Sequence, residues 1–96
     1  MPTWPFDQPP NCAVITLAQI VFEGAPLLYV SHDSDDHGWQ FLGGEVVRVS
    51  DATVVAFSEI VDLDPSIICL ADMPAGWHAW RSSTADPWQR AQKSVM

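Results

Sequence analysis

Tyr29-Val30-Ser31-His32-Asp33-Ser34-Asp35-Asp36-His37-Gly38-Trp39-Gln40-Phe41 reads as strand, acidic turn, strand. Leu27–Ser31 and Trp39–Leu42 are both rich in residues that suit a pleated surface, and the polar segment between them closes on a glycine, which together signal a β-hairpin. Three carboxylates and two imidazoles fall within residues 32–37. This is the only dense cluster of polar chemistry in the chain. Turns are also polar for purely structural reasons, because Asp side chains bond turn amides.

Outward from the hairpin, the rest of the chain supplies short strands and short helices. Residues 1–11 hold four of the eight prolines. Proline lacks an N–H and biases its predecessor toward extended backbone, so this is an irregular arm, with Trp4 and Phe6 available to pin it to the body. Residues 12–96 form one domain. Cys12–Thr16 is a first strand. Thr16 is placed to cap a short helix over Leu17–Glu23, with Gly24 as its stop. Gly43-Gly44 ends the second hairpin strand. Val46–Val49 and Val54–Phe57 are β-rich, with Ser50–Ala52 as the bend between them. Ser58 precedes one helix, and Asp64-Pro65 places a capping acid before a first-turn proline to start another. Pro74–Gly76 is a turn. Trp77–Arg81 is a last strand, with Trp77 and Arg81 on one face and His78 and Trp80 on the other. Asp86-Pro87 repeats the cap-plus-proline signal and predicts a short terminal helix from Trp88. Hairpin strands mixed with two to four short helices predict a single compact α+β domain with a mainly antiparallel sheet.

Ninety-six residues bury only about 60–65% of the surface the unfolded chain exposes. A hydrophobic content of 48% still provides one modest core without metal or disulfide staples. Each of the five Trp can bury about 200 Å², so at least three are expected in the core and one or two at an interface. Cys12 and Cys69 do not make a disulfide framework, and Cys69, within Ile67–Leu70, reads as a small core residue. The first residues lack a basic leader and a long apolar run, and no stretch is long enough to span a bilayer, so the expected location is the cytoplasm.

The formal net charge is −8 and is unevenly spread. Residues 1–80 contain eleven acids and one base, Arg48. An acidic body repels phosphate, which disfavours nucleic acid and anionic membranes as partners and favours a basic protein. Exposed strand edges leave a homodimer open.

His32, Asp33, Asp35 and His37 are the candidate metal ligands, and residues two apart on an extended segment share a face. A calcium loop counted from Asp33 puts Gly38 at the required sixth position, but Gly44 falls where a bidentate Glu belongs. No four-ligand zinc spacing is present. Ser31-His32-Asp33 has the residue types of a catalytic triad, yet neighbours on a strand point to opposite faces and cannot form the relay. Gly43-Gly44 matches no phosphate-binding loop. The partner-binding candidates are Asp33, Asp35 and Asp36 in the turn, with Trp80 and Arg81, since Trp and Arg dominate interface hot spots. Trp88 beside Arg90 is the other place for an exposed Trp.

Several landmarks occur in one order: Cys12-Ala-Val-Ile-Thr16, Tyr29-Val-Ser-His-Asp33, Gly38-Trp-Gln-Phe-Leu42, Phe57-Ser-Glu-Ile60, Asp64-Pro-Ser66, Pro74-Ala-Gly-Trp-His-Ala-Trp-Arg81 and Asp86-Pro-Trp-Gln-Arg90. In this order they resemble a family of small bacterial proteins of unknown function that overlaps the immunity proteins of polymorphic toxin systems. The resemblance spans about residues 11–90, implies a compact α+β domain with no cofactor, and supplies no catalytic residues to carry over. The expected function is therefore non-enzymatic protein binding, with toxin neutralisation as its specific form. The alternative is a small ligand- or metal-binding domain using the turn at 32–37.

Overall fold

The computed structural model describes residues 4–44 and 48–93. Six strands form one sheet: β1 (Ala13–Leu17), β2 (Tyr29–His32), β3 (Trp39–Leu42), β4 (Ala52–Ala56), β5 (Trp77–Trp80) and β6 (Gln89–Gln92). Their order across the sheet is β4-β1-β3-β2-β5-β6. Every neighbouring pair is antiparallel except β1 with β3, which run parallel. Helix α1 (Ala18–Glu23) follows β1, and α2 (Phe57–Leu63) follows β4. Two 3₁₀ segments, Val49–Asp51 and Pro65–Leu70, complete the described elements. The expected α+β class, with a mostly antiparallel sheet, is what the chain forms.

The core lies against one face of this sheet. Val14, Val30, Trp39, Phe41 and Ala79 project from the strands and meet Ile20, Phe57, Ile60, Ile67 and Leu70. The arm joins it. Phe6 is buried and sits 4.3 Å from Phe57 and 5.4 Å from Trp39, ring centre to ring centre, and Trp4 meets Phe57 edge-on at 5.4 Å. The arm also solves a backbone problem. No side chain caps α2, and its first amides, on Phe57 and Ser58, instead bond the carbonyls of Cys12 (2.8 Å) and Pro10 (2.9 Å). Helix-start amides need such partners when the helix end is covered.

Local signals gave way where the sheet demanded otherwise. Thr16 is not a helix cap. It is fully buried in β1, and its hydroxyl donates to the Phe41 carbonyl at 2.6 Å, while α1 begins after Leu17 with no side-chain cap. Gly24 does end α1, in the left-handed conformation at φ 70°, where a side chain is strained. Val46 and Val47 of the expected Val46–Val49 strand lie outside the described residues, and Val49 opens a 3₁₀ turn and is exposed.

Among the described residues the predicted terminal helix is absent, and Gln89–Gln92 is strand β6, paired with β5 from Trp77↔Gln92 to Trp80↔Gln89. The segment carries few apolar residues for a helical face, and β5 would otherwise present an open ladder on that side. Cys69 is exposed rather than core. In a 3₁₀ helix residues three apart eclipse one another. Ile67 and Leu70 therefore turn inward together, and Ser66 and Cys69 turn outward.

Candidate binding surface

The acidic turn is built mainly to hold itself. Asp33 N–H bonds the Gly38 carbonyl at 2.8 Å, closing the hairpin, and Gly38 N–H donates to Asp36 Oδ1 at 2.8 Å. A Cβ on residue 38 would lie 2.9 Å from that same carboxylate oxygen and would push the exposed Asp36 carboxylate aside. His37, exposed, takes a positive φ of 58° to turn the chain. Asp35 and Asp36 are exposed at the tip.

Asp33 is committed elsewhere. Its carboxylate accepts from Ser31 Oγ (2.9 Å), Gln40 Nε2 (2.8 Å) and Lys93 Nζ (3.0 Å). Lys93 also donates to Ser31. Burial pushes the Asp33 carboxyl up, but the hydrogen bonds from Gln40, Lys93 and Ser31 and the Lys93 charge outweigh it, leaving the group below the usual carboxylate range. Lys93 was not singled out in the sequence because sixty residues separate it from Asp33. Only the β5–β6 pairing brings them together.

His32 belongs to the opposite face of the strand. It is 7% exposed, stacks on Trp39 with ring centres 4.0 Å apart, and places Nδ1 2.9 Å from the Met73 carbonyl. A carbonyl oxygen only accepts, so Nδ1 carries a hydrogen, and Nε2 is an acceptor in the tautomer that has that hydrogen alone. That Nε2 is buried without a partner. An acceptor left unpaired at such depth costs about 1–3 kcal/mol. His32 lines an open hollow of about 720 Å³ together with Asp7, His37, Asp72, Pro5 and Pro74, among others. Ser31 and Asp33 therefore meet on one face while His32 leaves them on the other, as strand alternation predicts. The four metal candidates do not converge either: among the described residues no three His, Cys, Asp or Glu side chains come together as a metal-binding group.

The two remaining candidates separate sharply. Trp80 is 37% exposed on the outer face of β5. Arg81 is not a surface contact. Its side chain is 2% exposed, donates through Nε (3.0 Å) and Nη2 (2.9 Å) to the Leu27 carbonyl and through Nη1 (3.0 Å) to Ser66 Oγ, and forms an ion pair with Asp64. The Trp88 ring covers its guanidinium at 4.2 Å. Trp88 is thereby half-buried, bonding Ser66 Oγ through its indole N–H at 3.0 Å. Trp39 is buried, and Trp4 and Trp77 pack against the core.

The outer sheet face carries an apolar pair that the sequence did not reveal. Ile15 and Val54 stand directly opposite one another on β1 and β4, 43% and 65% exposed. Ile15 is in register with Gln40, and Gln40 with Ser31, so the pair and the acidic hairpin lie along one face. Among the described residues no helix is long and apolar enough to cross a membrane. No family model, curated protein or solved structure matches this chain.

Proposed function

We propose that this chain is a non-enzymatic protein-binding domain whose partner is a basic protein, with immunity-type neutralisation of a toxin as its specific form. The observation that carries the reading is where the charges stand. Arg81, Arg90 and Lys93 are each held in an ion pair, with Asp64, Asp72 and Asp33, and among the described residues Arg48 is the only Lys or Arg outside such a pair. Asp7, Glu23, Asp35, Asp36, Glu59, Asp62 and Asp86 are exposed. Among the described residues seven unpaired carboxylates thus face outward rather than being neutralised in place. A field of one sign steers a partner of the other sign and accelerates encounter. The Ile15–Val54 pair and Trp80 add apolar area for a stable contact on the face next to the turn.

The test is affinity purification from the cells that make the protein, followed by native mass spectrometry and association kinetics. A stoichiometric basic protein is expected. Asp35→Lys combined with Asp36→Asn, which keeps the turn acceptor for Gly38, should slow association about tenfold at low salt, with the difference shrinking as salt rises. Absence of a protein partner, or an unchanged association rate, would overturn the reading.

A further inference from the structure

The two edges of the sheet are built differently. β6, at one edge, carries Arg90, is preceded by Pro87 and is followed by Lys93. Charges and proline keep an edge strand from pairing with another chain. β4, at the other edge, reads Ala52-Thr53-Val54-Val55-Ala56 and has neither. Among the described residues it pairs with β1 alone, so alternate N–H and C=O groups along its free side point away from the sheet. On the outer face Ala52, Val54 and Ala56 stand opposite Leu17, Ile15 and Ala13, with no polar residue among them. Val54, the middle residue of the strand, is exposed.

We propose that β4 pairs with the β4 of a second copy of this chain, antiparallel and centred on Val54, so that two sheets become one. This register sets Val54 against the partner's Val54, Thr53 against the partner's Val55 and Ala52 against the partner's Ala56, all uncharged. Two acidic chains repel over most of their surfaces, but these strands bring no like charges together. Asp51, just before the strand, lies six residues along from the partner's Asp51. At the rise of an extended strand that is about 20 Å, beyond the screening length of about 8 Å. The charges that do approach are opposite. Arg48 is exposed and is the one Lys or Arg among the described residues outside an ion pair. The register puts it at the end of the strand where α2 of the second copy begins, and Glu59 and Asp62 are exposed on that helix. Two-fold symmetry makes this approach twice. A second copy therefore suits this edge, whereas a basic chain would find no acid along it. Ile15 and Val54 keep their side chains on the open face, where the dimer doubles them into one row. The pairing is independent of the basic-partner reading and leaves that face free for it.

The test is sedimentation of the purified full chain at concentrations of about 1–500 μM, where a reversible dimer with a dissociation constant of about 10 μM is expected from a small contact. Val54→Lys, a change at an exposed position, should weaken it about tenfold or more while the circular dichroism of the fold stays the same. Arg48→Glu should weaken it about threefold at low salt, with the difference shrinking as salt rises. The register is read separately with Cys12→Ser and Cys69→Ser both in place. Residues directly opposite across an antiparallel pair have Cα atoms about 4.5–5.5 Å apart, within disulfide reach, so Val54→Cys should link two copies under mild oxidation. Ala56→Cys, four residues along from its counterpart and so about 13 Å away, should not. A chain still monomeric at the top of the concentration range, a dimer that Val54→Lys leaves intact, or linkage through Ala56→Cys as ready as through Val54→Cys would overturn the proposal. A monomeric chain whose β4 amides gain hydrogen-exchange protection only when a basic protein binds would overturn the second copy as the occupant of this edge. Capture of a basic protein by a monomeric chain would overturn the dimer and leave the partner reading standing. A dimer with this register and no captured protein would support the edge pairing and overturn the partner reading alone.

Discussion

Removing the charge of Asp64 tests the central structural claim about Arg81. The guanidinium is 2% exposed, whereas Asp64 is 21% exposed and so is the partner better able to reach water. Asp64→Asn keeps an oxygen that can accept from Ser66 N–H, now bonded at 3.1 Å, so the start of the Pro65–Leu70 segment is preserved. What is lost is the countercharge of a buried cation. Breaking such pairs costs about 3–5 kcal/mol. The lower end applies here, about 3 kcal/mol, because the Leu27 carbonyl, Ser66 Oγ and the Trp88 face continue to serve the guanidinium. For a domain of this size, with about 5–15 kcal/mol of total stability, that is a drop of about 12–24 °C in Tm. Urea unfolding followed by Trp fluorescence measures it. Adding Arg81→Met should return part of the loss, since no uncompensated charge then stays inside, and the double-mutant cycle should give a coupling of about 1–2 kcal/mol. A loss below about 0.5 kcal/mol for Asp64→Asn, which is typical of a surface site, would refute the reasoning.

Three further outcomes follow from named contacts. Thr16→Val should cost about 1–2 kcal/mol in urea unfolding, because it removes the hydroxyl that donates to the Phe41 carbonyl in a fully buried site, and Thr16→Ser should cost less. Gly24→Ala should cost about 1 kcal/mol by the same measurement, a purely conformational loss, since an added Cβ meets nothing within 4 Å but the φ of 70° is strained for alanine. Asp33 has a folded-state pKa below its ordinary value of 3.8, so its contribution is present above that pH and is lost as pH falls through the folded value. Asp33→Asn should therefore lower stability at neutral pH and flatten the acid limb, and parallel acid limbs for the two proteins would contradict the assignment.

The hairpin was legible because every signal in it agrees: β-rich flanks, an acidic turn and Gly38 at the close, with β3 found at Trp39–Leu42 as read. Gly24 was legible for the same reason, a single residue answering a single backbone need. Alternation also grouped Trp77 with Arg81 and His78 with Trp80 on opposite faces, though it did not tell that the face of Arg81 is the buried one. Elsewhere a local rule met a stronger long-range demand. Asp86-Pro87 is a sound helix-start signal, but the residues after it had more to gain by completing the ladder of β5. Thr16 is a sound cap residue, but a central strand needed its β-branched side chain and its hydroxyl.

The candidate site divides along the same line. Residue types and net charge, fixed by composition alone, established that the protein is acidic, that residues 32–37 concentrate its polar groups, and that strand neighbours such as Ser31 and His32 must part to opposite faces. Composition cannot say which charges are spent on other charges. That depends on pairs brought together across the chain: Asp33 with Lys93, Asp64 with Arg81 and Asp72 with Arg90. The same folding turned Arg81 from a surface candidate into a buried strut, left Asp35 and Asp36 facing outward, and set Asp7, His32 and Asp72 around one hollow. Contacts between residues far apart in sequence depend on sheet order and register, and these are settled only when the whole core closes.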